Sequence, residues 1–208
     1  MENRSNYFKW ILFILMGLIT LTVVYYKVLL YSLPSPALNR LLATKWVLVP
    51  HILFAFIALL TGPSQFSDRL RKRNLPLHRL LGKVYILAIV LAGSFALVWS
   101  FLYAPITEPA NVRSMTQAVV WLLTTLIAWL AAVNRQIGVH QVWMARSYGV
   151  TFTFVLSRFL SRLPAVRQMS DEHYIHFLWI LLVFSLIIPE LFLNGKLLLT
   201  KQPKRKFS

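Results

Sequence analysis

The stretch LPLHRLLGKVYILA, residues 75–88, places an imidazole at the start of a long apolar run. In a helix, with about 100° per residue, His78 shares one face with Gly82 and Tyr85, and Arg79 lies beside it. An imidazole next to small residues can coordinate haem iron, transfer a proton or bind a metal ion, and Arg79 could bind a lipid phosphate or the acid group of a ligand. The same position is also typical of a solvated helix end, so the sequence leaves both interpretations open.

A second set of polar residues follows one face of the segment 141–160 and the residue before it. Ser147, Thr151 and Arg158 come seven, eleven and eighteen residues after His140. In a helix these offsets place all four side chains within about 20° of one direction around the helix axis. Such a stripe predicts either a ligand-binding face or hydroxyl groups that bond to the carbonyls of their own helix and face other helices.

Further ionisable residues interrupt other apolar segments. His51 follows Pro50 in the second apolar segment, and His176 begins the last one. Together with His173 they could form a zinc site, since histidine is a common zinc ligand. Arg146 and Glu190 fall at similar predicted depth, and pairing would lower the cost of burying both charges.

The composition indicates what surrounds these segments. Of 208 residues, 58% are hydrophobic and 13% are charged, the mean hydropathy is +0.63, and the net charge is +16. A chain this apolar needs lipid around it, and its basic residues lie between apolar runs, which argues against a nucleic-acid partner. The sequence has no cysteine, which excludes disulfides and thiolate chemistry.

The apolar runs predict an all-α integral membrane bundle, a single domain over residues 1–208 with the lipid bilayer as its partner. A membrane-spanning helix needs about 20 apolar residues. Basic residues cluster after the second run and after the last, which predicts cytoplasmic termini and a cell (inner) membrane location. The six candidate spans are roughly 9–30, 46–64, 84–104, 115–133, 141–160 and 175–199.

The combined motifs resemble a family of predicted bacterial membrane proteins known only as a domain of unknown function. The resemblance covers the second to fifth spans, with a looser match at Glu190, and implies no established activity. The motif residues are His51, Gly62, Pro63, Gln65, Phe66, His78, Arg79, Gly82, Tyr85, His140, Trp143, Met144, Arg146 and Ser147.

The chain is also similar, more weakly, to the six-helix b-type cytochromes that carry electrons across membranes. That resemblance implies axial haem ligands on four helices. The predicted span 115–133 contains no histidine, which departs from the pattern and leaves His78 and His140 as the better-matched pair.

Three functional hypotheses follow. The first is a membrane protein whose buried polar site binds a small ligand or cofactor, the second a haem b electron carrier, and the third a small proton-coupled transporter. No P-loop, nucleotide-binding glycine motif or hydrolase triad is present, and the pattern decides neither an enzymatic activity nor the metal, ligand or oligomeric state. The candidate cofactor ligands are His78, His140, His51 and His176, and the candidate polar-site residues are Arg79, Tyr85, Arg146, Ser147, Thr151, Arg158 and Glu190.

Overall fold

The computed structural model describes the backbone of residues 2–32, 34 and 36–199, and in these ranges the chain is a set of helices without a strand. Side chains are described within residues 11–189, except at positions 12, 27, 29–31, 33, 35, 37 and 40. The all-α prediction is confirmed. The helices are α1 (Glu2–Ser32), α2 (Pro36–Ala43), α3 (Lys45–Thr61), α4 (Asp68–Arg73), α5 (Leu75–Tyr103), α6 (Pro109–Val133), α7 (Ile137–Leu160), α8 (Pro164–Arg167) and α9 (Asp171–Leu199), and a 3₁₀ helix, Gly62–Phe66, continues α3.

Four segments in the described part of the chain are long and apolar enough to cross a membrane. They are Lys45–Phe66, Leu75–Tyr103, Pro109–Val133 and Asp171–Pro189, and they contain or overlap four of the predicted spans. α1 contributes a shorter apolar stretch, Phe13–Tyr26, and α7 is less apolar because its inward face carries hydroxyl groups. Helices therefore occupy the predicted spans 9–30 and 141–160, and the count of six spans stays a prediction.

Helix α5 begins at Leu75, well before the predicted span start at residue 84. The side chain of Asn74 accepts a hydrogen bond from the Leu77 backbone N–H at 3.0 Å, and Pro76 lies in the first turn. An asparagine cap followed by proline is a favoured helix start. His78 therefore lies within the helix and not in the loop before it.

The bundle is built from sequential neighbours. α3 packs along α5, α5 on α6, α6 on α7 and α7 on α9, and α1 packs against α7. Small residues at these contacts let the helix backbones approach closely, as is usual in membrane bundles. The buried core consists of Ala58, Tyr85, Ala88, Ile89, Ala92, Trp121, Ala128, Met144, Tyr148, Val150 and Leu182.

The outward faces of the long helices are apolar. Leu87 is 60% exposed, and Leu123 and Val183 are each 50% exposed. An apolar surface of this extent is unfavourable in water and natural in lipid. α6 is the most enclosed of the four apolar segments, with 39% of its most apolar window buried against 6% for α9, so α6 is the helix best placed to carry an interior site.

Candidate functional site

Three predicted residues meet at the centre of the bundle. The Tyr85 hydroxyl of α5 lies 2.9 Å from the Ser147 hydroxyl and 3.2 Å from the Thr151 hydroxyl, both on α7. α6 adds Trp121, whose indole N–H donates to the Thr151 oxygen at 2.8 Å, and Thr125, whose hydroxyl lies 2.7 Å from that of Ser147. These five side chains, which we call the central network, are all buried.

The proton count assigns a direction to each bond of the central network, because a hydroxyl group has one proton. Thr151 donates to the Ser147 carbonyl at 2.9 Å, and Thr125 donates to the Trp121 carbonyl at 2.7 Å. The Ser147 hydroxyl must then donate to Thr125, and the single proton of the Tyr85 hydroxyl points to Ser147, the nearer acceptor, and is shared with Thr151. Every donor has an acceptor, and a saturated network of this kind fixes the packing of three helices.

Two further predicted residues lie near each other at the end of the bundle where α5 begins. His78 and His140 are close enough for their imidazoles to interact electrostatically. The Nδ1 of His140 donates to the Ala128 carbonyl at 2.9 Å, so in the neutral imidazole Nε2 is the nitrogen that can accept a hydrogen bond or bind a ligand. The Nδ1 of His78 is buried without a hydrogen bond, although the ring lies near the Ser64 carbonyl.

The motif glycines Gly62 and Gly82, beside which a haem would need room, face side chains of the protein itself. A Cβ at Gly82 would lie 3.0 Å from the amide oxygen of Gln65, whose nitrogen donates to the His78 carbonyl at 3.3 Å. A Cβ at Gly62 would meet the ring of Tyr148 and lie 3.2 Å from that of Tyr85. A porphyrin could occupy the space beside Gly82 only if Gln65 moved.

The remaining histidines lie apart from this pair. The Nδ1 of His51 donates to the Ala92 carbonyl at 2.9 Å, about 21 Å along α5 from the level of His78. His173 is exposed and bonds to Ser170, and His176 lines an open cleft on the surface. Among the described residues no group of three or more His, Asp or Glu side chains could hold a metal ion, so the zinc interpretation of His51, His173 and His176 finds no support.

The predicted arginines do not gather in one place. Arg79 and Arg158 are exposed, the latter in the last turn of α7. The Arg146 guanidinium lies over the Trp143 ring, 4.5 Å from its centroid. The side chain of Glu190 lies outside the described side chains, so its pairing with Arg146 stays a prediction.

α6 carries the polar residues that the sequence analysis missed. Arg113, Gln117, Trp121 and Thr125 recur every fourth residue on one face of α6, and all four are buried. The predicted span 115–133 contains no histidine, and Arg113 lies two residues before it. A four-residue spacing of polar groups within an apolar run was the signal that could have identified this face.

Comparison with known proteins identifies a family. A family profile described as "Predicted membrane protein (DUF2306)" matches residues 48–193, well over half of the chain. Comparisons with curated proteins and with solved structures find no match.

Proposed function

The chain belongs to the DUF2306 family of predicted membrane proteins, and we propose that it is a multi-pass protein of the cell membrane that binds a small ligand between α5 and α7. His78 and His140 flank the proposed site. The observation that carries the proposal is the pair of half-buried imidazoles: Nδ1 of His78 is buried, its ring meets the Ser64 carbonyl outside good hydrogen-bond geometry, and a second imidazole lies nearby. Buried polar atoms are rarely left without a partner in native proteins.

The surroundings of the two imidazoles favour a ligand with an acid group. Arg71 and Arg79 both lie within electrostatic range of His78. The hydrogen bond from Nδ1 of His140 to the Ala128 carbonyl fixes that ring and presents its Nε2 as an acceptor. An acid group could therefore receive hydrogen bonds from arginine while a protonated group of the same ligand donates to His140.

The proposed topology has six spans with both termini in the cytoplasm. α7 supports it: the helix has 24 residues, enough for about 36 Å, and it packs between α6 and α9. The basic helix α4, which contains Arg69, Arg71, Lys72 and Arg73, then lies on the cytoplasmic side together with His78 and His140.

The haem alternative has one observation in its favour. His51 and His140 both donate from Nδ1 to a backbone carbonyl, an arrangement common among histidines that ligate metals through Nε2. The two rings lie at different levels of the bundle and cannot share one iron, and Gln65 occupies the room beside Gly82. We therefore derive no electron-transfer step. The proton-coupled transporter with Arg146, Arg158 and Glu190 stays a prediction.

Native mass spectrometry of the protein, extracted from its own membranes in a mild detergent, tests the proposal. We expect the wild-type protein to retain a non-lipid small molecule that His78→Ala and His140→Ala both lose. His173→Ala is the matched control, because that imidazole is exposed and bonds only within its own turn. Absence of any retained molecule from the wild type, or its equal retention in all variants, would contradict the proposal.

A further inference from the structure

The α6 face missed by the sequence analysis begins with two buried polar side chains near its first turn. Arg113 is 7% exposed and Gln117 is fully buried, one helical turn further along. From Arg113 to Ala128, whose carbonyl bonds His140, is about 22 Å along α6. These two residues therefore lie apart from the His78–His140 site, at the opposite end of the bundle.

Both side chains have polar atoms without partners. Nε and Nη2 of Arg113 and both amide atoms of Gln117 are buried and make no hydrogen bond within the described part of the chain. Native proteins seldom leave such groups unpaired, and a buried guanidinium needs a counter-charge. The next residue of this face, Trp121, is by contrast fully engaged in the central network.

The pattern of unpaired atoms indicates the shape of the missing partner. Nε and Nη2 form one edge of the guanidinium, and this edge presents two parallel N–H donors that match the two oxygens of a carboxylate. The Gln117 amide adds a donor and an acceptor. A carboxylate with a hydroxyl group next to it would satisfy both side chains.

The charged groups near Arg113 favour a ligand with a single negative charge. Arg158 of α7 and Tyr174 of α9 lie within electrostatic range of the Arg113 guanidinium. No acidic side chain forms an ion pair with Arg113 in the described residues. One buried guanidinium neutralises one carboxylate. Arg158 is exposed and its charge is screened by solvent, so a phosphate dianion would leave charge uncompensated in the buried part of the site.

The surface near the start of α6 carries an open cleft. This cleft of about 410 Å³ lies between Pro109, one turn before Arg113, and Glu172, Ile175 and His176 of α9. Tyr174 belongs to the same turn of α9 as the residues that line this cleft. A small molecule that enters from this cleft has to pass the first turn of α6 to reach Arg113, which does not line the cleft.

We propose that Arg113 and Gln117 form a binding site for a small carboxylate that bears a hydroxyl group, at the end of the bundle opposite His78. Arg113 holds the carboxylate through Nε and Nη2, and Gln117 accepts a hydrogen bond from the hydroxyl group. Arg158 attracts the anion, and the cleft beside Pro109 admits it.

The test measures the melting temperature of the purified protein in detergent and a chloride buffer, with lactate, acetate or inorganic phosphate added. We expect a saturable rise with lactate, a rise at higher concentration with acetate, and no rise with lactate in Arg113→Met. Arg167→Met, which removes an exposed arginine from α8, should respond like the wild type. If Arg113→Met does not fold, Arg113→Lys keeps the charge without the two-donor edge and should bind lactate at least tenfold more weakly.

Two further results would overturn the proposal. The first is no saturable rise with either carboxylate, which would mean that water alone satisfies these atoms, and the second is a rise with phosphate only. Gln117→Leu distinguishes the contribution of Gln117 from that of Arg113. This variant should lose the preference for lactate over acetate, and an unchanged preference would contradict the assigned role of Gln117.

Discussion

Thr151 takes part in more bonds of the central network than Tyr85, and the two residues should differ in what their loss costs. Thr151→Val leaves the buried indole N–H of Trp121 without an acceptor, which costs about 1–3 kcal/mol of unfolding free energy. Tyr85→Phe removes a donor and leaves no other donor unpaired, so we expect about 0.5–1.5 kcal/mol.

Denaturant titration of the purified protein in detergent measures both losses. The matched control is Thr116→Val, because the Thr116 hydroxyl lies on the surface of α6 and bonds only to the Val112 carbonyl of its own helix. A loss for Tyr85→Phe that equals or exceeds that of Thr151→Val would show that the assigned bond directions are wrong.

At the residue scale, the sequence could identify polar side chains on one face but not what they contact. Helical spacing placed Ser147 and Thr151 on one side of α7 and Tyr85 on the side of α5 that carries His78. It could not show that α6 supplies Trp121 and Thr125, because the rotation of one helix against another is set by packing. That buried atoms of Arg113 and Gln117 lack hydrogen bonds likewise depends on how the helices pack, and the sequence alone could not show it.

Among the helices, the crossing of α7 and α9 depends on Gly149. A Cβ at this position would lie 2.5 Å from the backbone oxygen of Ser185, and a backbone atom cannot rotate away as a side chain can. Gly149→Ala should therefore force α9 away from α7 and lower stability by about 1–3 kcal/mol.

The control for that substitution lies in the same helix. A Cβ at Gly138 would meet nothing within 4 Å, so Gly138→Ala should leave stability unchanged or raise it by up to about 1 kcal/mol. Thermal unfolding in detergent compares the two variants. Equal melting temperatures for both would contradict the close approach of α7 and α9.

Helix positions could be predicted well from the apolar runs, and helix starts less well. All six predicted spans fall on helices, because lipid allows a backbone little else than a helix. The early start of α5 was missed because its first turns are polar, and polar turns lower the local hydropathy without weakening the helix. The Asn74–Leu75–Pro76 sequence is the local signal for that start.

At the scale of the whole molecule, the structure separates three regions along the bundle. The central network is saturated and fastens α5, α6 and α7 to each other. The buried atoms of His78, Arg113 and Gln117 that lack a hydrogen bond lie towards the two ends, His78 at one and the other two residues at the opposite one. The middle of the bundle thus has its hydrogen bonds satisfied, whereas each end has buried polar atoms without partners. We therefore propose one ligand site on each side of the membrane.

The central claim, that the two ends face opposite sides of a membrane, can be tested directly because the chain has no cysteine. Arg73→Cys at the end of α4 and Glu108→Cys before α6 each place one exposed thiol at one end. We predict that an impermeant maleimide labels Glu108→Cys in intact cells and labels Arg73→Cys only after the membrane is permeabilised. The reverse pattern, or equal labelling of both thiols in intact cells, would contradict the account.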